Sequence, residues 1–221
     1  MGAPTIDELT VAGDPDDWAA LGFRVEDGGC QLGRVRVAFT AGASATAPAD
    51  GGRGLIDWSL REVSSTELDG LPTRVSAAPG REAAPGHPNG VLAIDHIVAM
   101  TPDLERSVEA LRGAGLDLRR VREEPTPAGA PRQAFFRLGE EILELVQEPE
   151  EIVIRAGGRD RPARFWGLAV LVEDIERTVG LLDGNAGEIR DAVQPGRRIA
   201  TVRRSAGLSL PLALMSGEAD R

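Results

Sequence analysis

Lysine and tyrosine are missing from this chain altogether; all 25 basic side chains are arginine. Without lysine there is no Schiff-base chemistry, no pyridoxal phosphate attachment and no phosphate-loop lysine, and without tyrosine one common acid–base group is gone. Cysteine occurs once, as Cys30, so no internal disulfide can form and a reducing compartment is expected. No apolar run approaches the roughly 18 residues that cross a bilayer. The opening residues, Met1 to Glu8, are acidic and carry no apolar signal core, so a cytoplasmic location without membrane contact is expected. Positive charge is also short: the net charge is −10, whereas binding to nucleic acid needs clustered cations that displace counterions from phosphates. The expected partner is a small molecule.

What the chain does contain is a repeat. Ile94-Asp95-His96-Ile97-Val98-Ala99-Met100, followed by Leu104, Val108 and Leu111, is matched at a constant offset by Phe165-Trp166-Gly167-Leu168-Ala169-Val170-Leu171, followed by Ile175, Val179 and Leu182. Each copy reads as an apolar strand, a short amphipathic helix and three further strands. A third, fainter copy opens the chain, with strands at Ile6–Val11, Gly22–Val25, Gly33–Phe39 and Leu55–Leu60 and a helix at Pro15–Leu21. The last two strands flank a Gly/Ala/Ser loop. Residues 1–63 are therefore an N-terminal unit and 64–90 a Pro/Gly/Ala-rich connector. Residues 91–149 and 164–216 are the paired units, and 217–221 a tail. In the second unit Thr101-Pro102 is the expected helix start and Gly113 the stop.

At Ala93-Ile94-Asp95-His96-Ile97-Val98, then Thr-Pro-Asp-Leu-Glu-Arg, and finally Ile142-Leu143-Glu144-Leu145-Val146, the chain resembles the vicinal oxygen chelate superfamily. That group comprises the glyoxalases, bleomycin-resistance proteins and dioxygenases built from βαβββ modules. The resemblance implies an α+β fold of three such modules, two of them paired into a curved open sheet with a concave cleft. It also implies metal ligands on the first and fourth strands of each module. His96 and Glu144 occupy those positions in the second unit, as ligands for a divalent metal (Zn, Ni, Mn or Fe) or as a plain hydrogen-bonded pair. Alternation puts His96 on one face with Ile94, Val98 and Met100.

In the third unit Gly167 stands where His96 stands, and Ala213 where Glu144 stands. Half of a metal site is thus missing, and a two-histidine, one-carboxylate iron triad cannot be assembled, because the other histidine, His87, lies in the connector. Pairing of units one and two would instead gather Glu8, Asp57, His96 and Glu144. Trp166 is placed either to stack on a ligand or to fill the core; Arg198 of the Arg197-Arg198 pair either holds a carboxylate or phosphate or is a solvated strand-edge residue, and Met215 lines the cleft. The expected function is binding or sequestration of a small molecule without turnover. The alternative is a metal-dependent lyase or isomerase in which Glu144 moves the proton. An odd number of modules leaves the first unit seeking a partner, which predicts a homodimer.

Overall fold

The computed structural model describes residues 2–40, 54–126 and 129–217; the Gly/Ala/Ser loop and most of the 217–221 tail lie outside the described residues. The fold is α+β, built on two open sheets. The first unit contributes β1 (Thr5–Ala12), α1 (Pro15–Ala20), β2 (Gly29–Leu32), β3 (Val35–Thr40) and β4 (Leu55–Arg61), and the connector adds β5 (Thr73–Val75). These strands lie in the order β2-β3-β1-β4-β5. The second unit is β6 (Val91–Thr101), α2 (Leu104–Gly113), β7 (Asp117–Arg122), β8 (Gln133–Leu138) and β9 (Glu141–Gln147). After α3 (Glu150–Arg155) comes the third, with β10 (Arg164–Val172), α4 (Ile175–Leu181), β11 (Arg190–Asp191), β12 (Arg198–Thr201) and β13 (Leu212–Ser216). They share one eight-stranded sheet, β11-β12-β13-β10-β6-β9-β8-β7.

In both of these units the first strand runs parallel to the last, β6 to β9 and β10 to β13, and the units join through the antiparallel β6–β10 pair. Glu8 and Asp57 therefore belong to the other sheet and do not join His96 and Glu144. The first sheet repeats the central pattern: β1 is parallel to β3, antiparallel to β4, and β4 is parallel to β5. Because β1 is paired on both edges within the chain, any association between copies has to use another surface.

Several local expectations change. Gly22–Val25 is not a strand; Phe23 instead packs edge-on against Trp18, with ring centroids 4.9 Å apart, and the strand begins at Gly29. The cap of α2 is Asp103, whose carboxylate accepts from the Arg106 amide at 3.0 Å. Thr101 supports it by accepting from the Asp103 amide at 3.1 Å, the side-chain satisfaction that free helix N–H groups require. The face of α2 carrying Leu104, Ser107 and Leu111 is buried.

The two sheets share one apolar core. Trp58 of β4 meets Phe165 of β10 in a T-shaped contact at 5.1 Å, an arrangement that contributes about 0.5–1.5 kcal/mol beyond simple burial. Polar contacts stitch the connector to the rest. Asp69 receives Arg106 at 2.7 Å. His87 accepts the Arg24 amide on Nδ1 at 2.8 Å and directs Nε2 at the Gln31 carbonyl, 3.1 Å away.

Candidate functional site

Of the four breaks in strand register in the eight-stranded sheet, three shape the face that bears His96. On β6, His96 pairs with Ala169 but Ile94 pairs with Val170, leaving Asp95 as an extra residue. On β10, Phe165 pairs with Ala99 but Gly167 pairs with Val98, leaving Trp166 as the extra residue. A bulge sets two consecutive residues against one on the facing strand and re-aims their side chains. The Asp95 bulge turns Ile94 away from His96 and into the core, where it is 4% exposed, correcting the face assigned by simple alternation. The third break, on β7, sets Arg119 and Arg120 together against Phe135.

The bulge brings Asp95 onto His96. Asp95 Oδ2 lies 2.7 Å from His96 Nδ1. A carboxylate only accepts, so Nδ1 carries the proton and Nε2 is left to face Glu144 Oε2 at 3.3 Å. Gln133 Nε2 donates to the other oxygen of Glu144, and Arg197 donates to the other oxygen of Asp95. Arg197 is itself fixed by the Ser216 carbonyl at 2.8 Å and the Gln194 side chain at 2.7 Å. The result is a chain of contacts: Arg197, Asp95, His96, Glu144, Gln133.

Electrostatics separates the two carboxyls. Burial opposes ionisation of Asp95, but the hydrogen bonds from His96 and Arg197 outweigh it and hold the carboxyl below its ordinary value. For Glu144 burial prevails and pushes the carboxyl up, reinforced by the charge of Asp95 and only partly opposed by His96, Gln133 and Arg122. An ionised Asp95 orients the imidazole, and Nε2 faces a carboxyl whose charge is opposed by burial.

The matching half of the face is apolar. Val98 pairs with Glu144 on β9 as Ala169 pairs with Ala213 on β13, which places Ala213 in the position equivalent to Glu144. Gly167 is closed over: a Cβ there would lie 2.6 Å from the Pro211 carbonyl oxygen. Trp166 is 39% exposed beside it. Met215 is covered, at 3% exposure, one row further along β13. Arg198 turns away and pairs with Glu176 beside α4; its neighbour Arg197 is the arginine that enters the cluster.

His96 Nδ1 is held by Asp95 and Nε2 faces Glu144, and among the described residues no group of three or more His, Cys, Asp or Glu is arranged to hold an ion. In the first sheet, Asp57 and Glu8 are bound by Arg74 at 2.7 and 3.5 Å, so they are no substitute. A separate cavity of about 440 Å³ lies beside Arg36, Cys30 and His87. Its thiol is pushed up to about 12 by burial, and its histidine is hydrogen-bonded on both nitrogens.

Asp95 escaped the sequence reading, and of the Arg197-Arg198 pair it is Arg197, not Arg198, that meets the cluster. The available signal was an acid next to a histidine in an otherwise apolar strand, where strict alternation asks for a buried residue. No helix among the described residues is long and apolar enough to cross a membrane.

Comparison with known proteins agrees with this geometry at the level of fold. No curated protein matches the sequence. Methylmalonyl-CoA epimerase from Mycobacterium tuberculosis is 18% identical over 59% of this chain and 91% of its own, with a TM-score of 0.48. The Streptomyces coelicolor methylmalonyl-CoA epimerase in complex with 2-nitronate-propionyl-CoA is 20% identical over 58% and 99%, with a TM-score of 0.47. A xylose isomerase-like TIM barrel/4-hydroxyphenylpyruvate dioxygenase fusion protein is 13% identical, the match covering 98% of this chain and 49% of that one, at a TM-score of 0.57. The family model of the Glyoxalase/Bleomycin resistance protein/Dioxygenase superfamily matches residues 93–205, more than half of the sequence, and the chain belongs to that superfamily.

Proposed function

We propose that this protein binds a small molecule on the cleft face around Asp95, His96 and Glu144, without a metal ion and without turnover. One observation carries the proposal: the two side chains that stand at the family's metal-ligand positions are satisfied by protein partners, His96 by Asp95 and Glu144 by His96 and Gln133. The opposite half adds no donor, since Pro211 closes the Gly167 position. A bound ligand would meet an acid–base pair on one side and the exposed Trp166 indole on the other.

Elemental analysis of protein purified without chelator, before and after loading with Zn, Ni, Mn and Fe, tests this. Metal well below one equivalent under every loading is expected. Near-stoichiometric metal that disappears in His96→Ala would overturn it and restore the metal-dependent enzyme.

A second reading is favoured by the raised carboxyl of Glu144 beside His96. A carboxyl whose charge is opposed by burial and that faces an imidazole nitrogen suits proton transfer at an acidic C–H bond, the chemistry of an isomerase or lyase. Exchange of a ligand C–H for deuterium in heavy water, abolished by Glu144→Gln, would identify turnover.

A further inference from the structure

The rim of the same cleft face points to the chemical class of the ligand, an inference that rests on the binding reading above. Strand β7 forms the edge of the eight-stranded sheet, and its bulge turns Arg120 to the side of Phe135, which pairs with Glu144 on β9. Directly opposed residues share a face, so Arg120, Phe135, Glu144 and Val98 form one row across the sheet. Arg122, Gln133, Val146 and Met100 form the next.

Neither arginine is committed to a strong partner among the described residues. The Arg120 guanidinium lies 4.7 Å from the centre of the Phe135 ring, and Arg122 has Glu124 at 3.9 Å, with that carboxylate 77% exposed, and the charge of Glu144, to which it makes no short contact. Most other arginines around this sheet are occupied: Arg197 by Asp95, Arg198 by Glu176, Arg132 by Glu105 and Glu123. A guanidinium presents five donors in a planar fork that matches a carboxylate bidentately.

The second observation is independent of charge. Gln133 is 7% exposed. Its Nε2 is aimed at the Glu144 carboxylate, which fixes the orientation of the amide and leaves Oε1 buried with no hydrogen-bond partner. Buried acceptors are rarely left so, because the lost hydration costs about 1–3 kcal/mol. Gln133 pairs with Arg122 across the β7–β8 ladder, so an anion drawn to Arg122 comes beside the residue that carries this acceptor.

We infer that the ligand is a small hydroxy acid, its carboxylate held by Arg122 and Arg120 and its adjacent hydroxyl donating to Gln133 Oε1. The carbon skeleton then lies over Phe135 and Val98, with Glu144 and His96 next to it.

The test is a titration of ¹⁵N-labelled full-length protein with lactate, lactamide and propionate, followed by NMR at the Gln133 side-chain amide and at His96. Lactate is expected to produce saturable shifts, with lactamide and propionate each weaker by about tenfold. Arg122→Met, on a side chain 24% exposed and weakly paired, is expected to lower lactate affinity by a similar factor while the spectrum elsewhere is unchanged. Equal binding of lactate and lactamide overturns the role of the arginines, and equal binding of lactate and propionate overturns that of Gln133. Lactate without a saturable shift at Gln133 overturns the ligand class. If lactamide still shifts His96, the cleft-binding reading survives that failure; if neither probe acts there, both fall.

Discussion

His96 and Gly167 are mates about an approximate two-fold axis that passes between the paired residues Ile97 and Leu168. The same axis relates Asp95 to Trp166, the extra residues of the two bulges. The cleft face is thus a symmetric frame with unlike halves: three polar side chains on one side and an indole, a bare backbone and an alanine on the other.

The bare backbone cannot be refilled. Gly167→Ala sets a Cβ 2.6 Å from the Pro211 carbonyl, and forced overpacking of this kind costs about 1–3 kcal/mol. A lower melting temperature is expected, and Gly167→His, which restores the family's second histidine, is expected to melt lower still and gain no metal.

The two adjacent arginines separate cleanly. Arg197→Met removes a donor from half-buried Asp95 and is expected to destabilise the protein by about 1–3 kcal/mol, with weaker ligand binding as the contacts of Asp95 and His96 loosen. Arg198→Met removes an exposed pair with Glu176, and neither binding nor melting temperature is expected to change.

Glu141, at 4% exposure, is raised by burial from 4.5 to about 7. The unfolded chain ionises it first, so this residue lowers stability as pH rises from 4.5 to about 7, and the penalty is constant above that. At about 1.4 kcal/mol per unit, the full effect is about 3 kcal/mol. Glu141→Gln is expected to be more stable than the parent at pH 8 and similar to it at pH 4, as read from denaturant melts at the two values.

His87 acts with the opposite sign. Burial, aided by the charge of Arg24, holds its imidazole below 6.5, and the Arg24 N–H needs an unprotonated Nδ1. The clasp is therefore intact above 6.5 and weakens as pH falls below that value toward the lower folded pKa. His87→Gln is expected to lower stability at pH 8 and to flatten the loss between pH 6.5 and 5. Denaturant melts across that range check it.

The main lines of the fold were legible because they rest on periodicity. The apolar faces of β6, β10, α2 and α4 recur at a fixed offset, and a repeat of that kind has few ways to bury itself. The candidate site was half legible: His96 and Glu144 stand out as polar residues in apolar strands, and the structure does place them 3.3 Å apart. Bulges break the two-residue period, so Ile94 was set on the wrong face and Asp95, an acid in an apolar strand, was passed over; of the Arg197-Arg198 pair, which of the two reaches the cluster depends on the Asp95 bulge across the sheet and not on any pattern within the pair itself. Helix α3 was missed because Ile152, Val153 and Ile154 have the branched side chains of a strand. Strand β5 sits in a stretch whose composition reads as linker, and it exists because Trp58, Ser59 and Leu60 offer it an edge.

The first sheet carries the bulged central pair as well. Asp7 on β1 and Ile56 on β4 are its extra residues, placed about the Leu9–Trp58 pair as Asp95 and Trp166 are placed about Ile97 and Leu168. Its open face is already occupied by the chain itself, since Arg74 hydrogen-bonds Asp57 at 2.7 Å and Thr10 at 3.0 Å and reaches Glu8 at 3.5 Å. A tethered side chain loses no translational freedom when it docks, so a free molecule competes with it at a disadvantage. The chain thus holds two renderings of one bulged frame, one with the Arg74 side chain docked on its polar residues and the other without such a built-in guest.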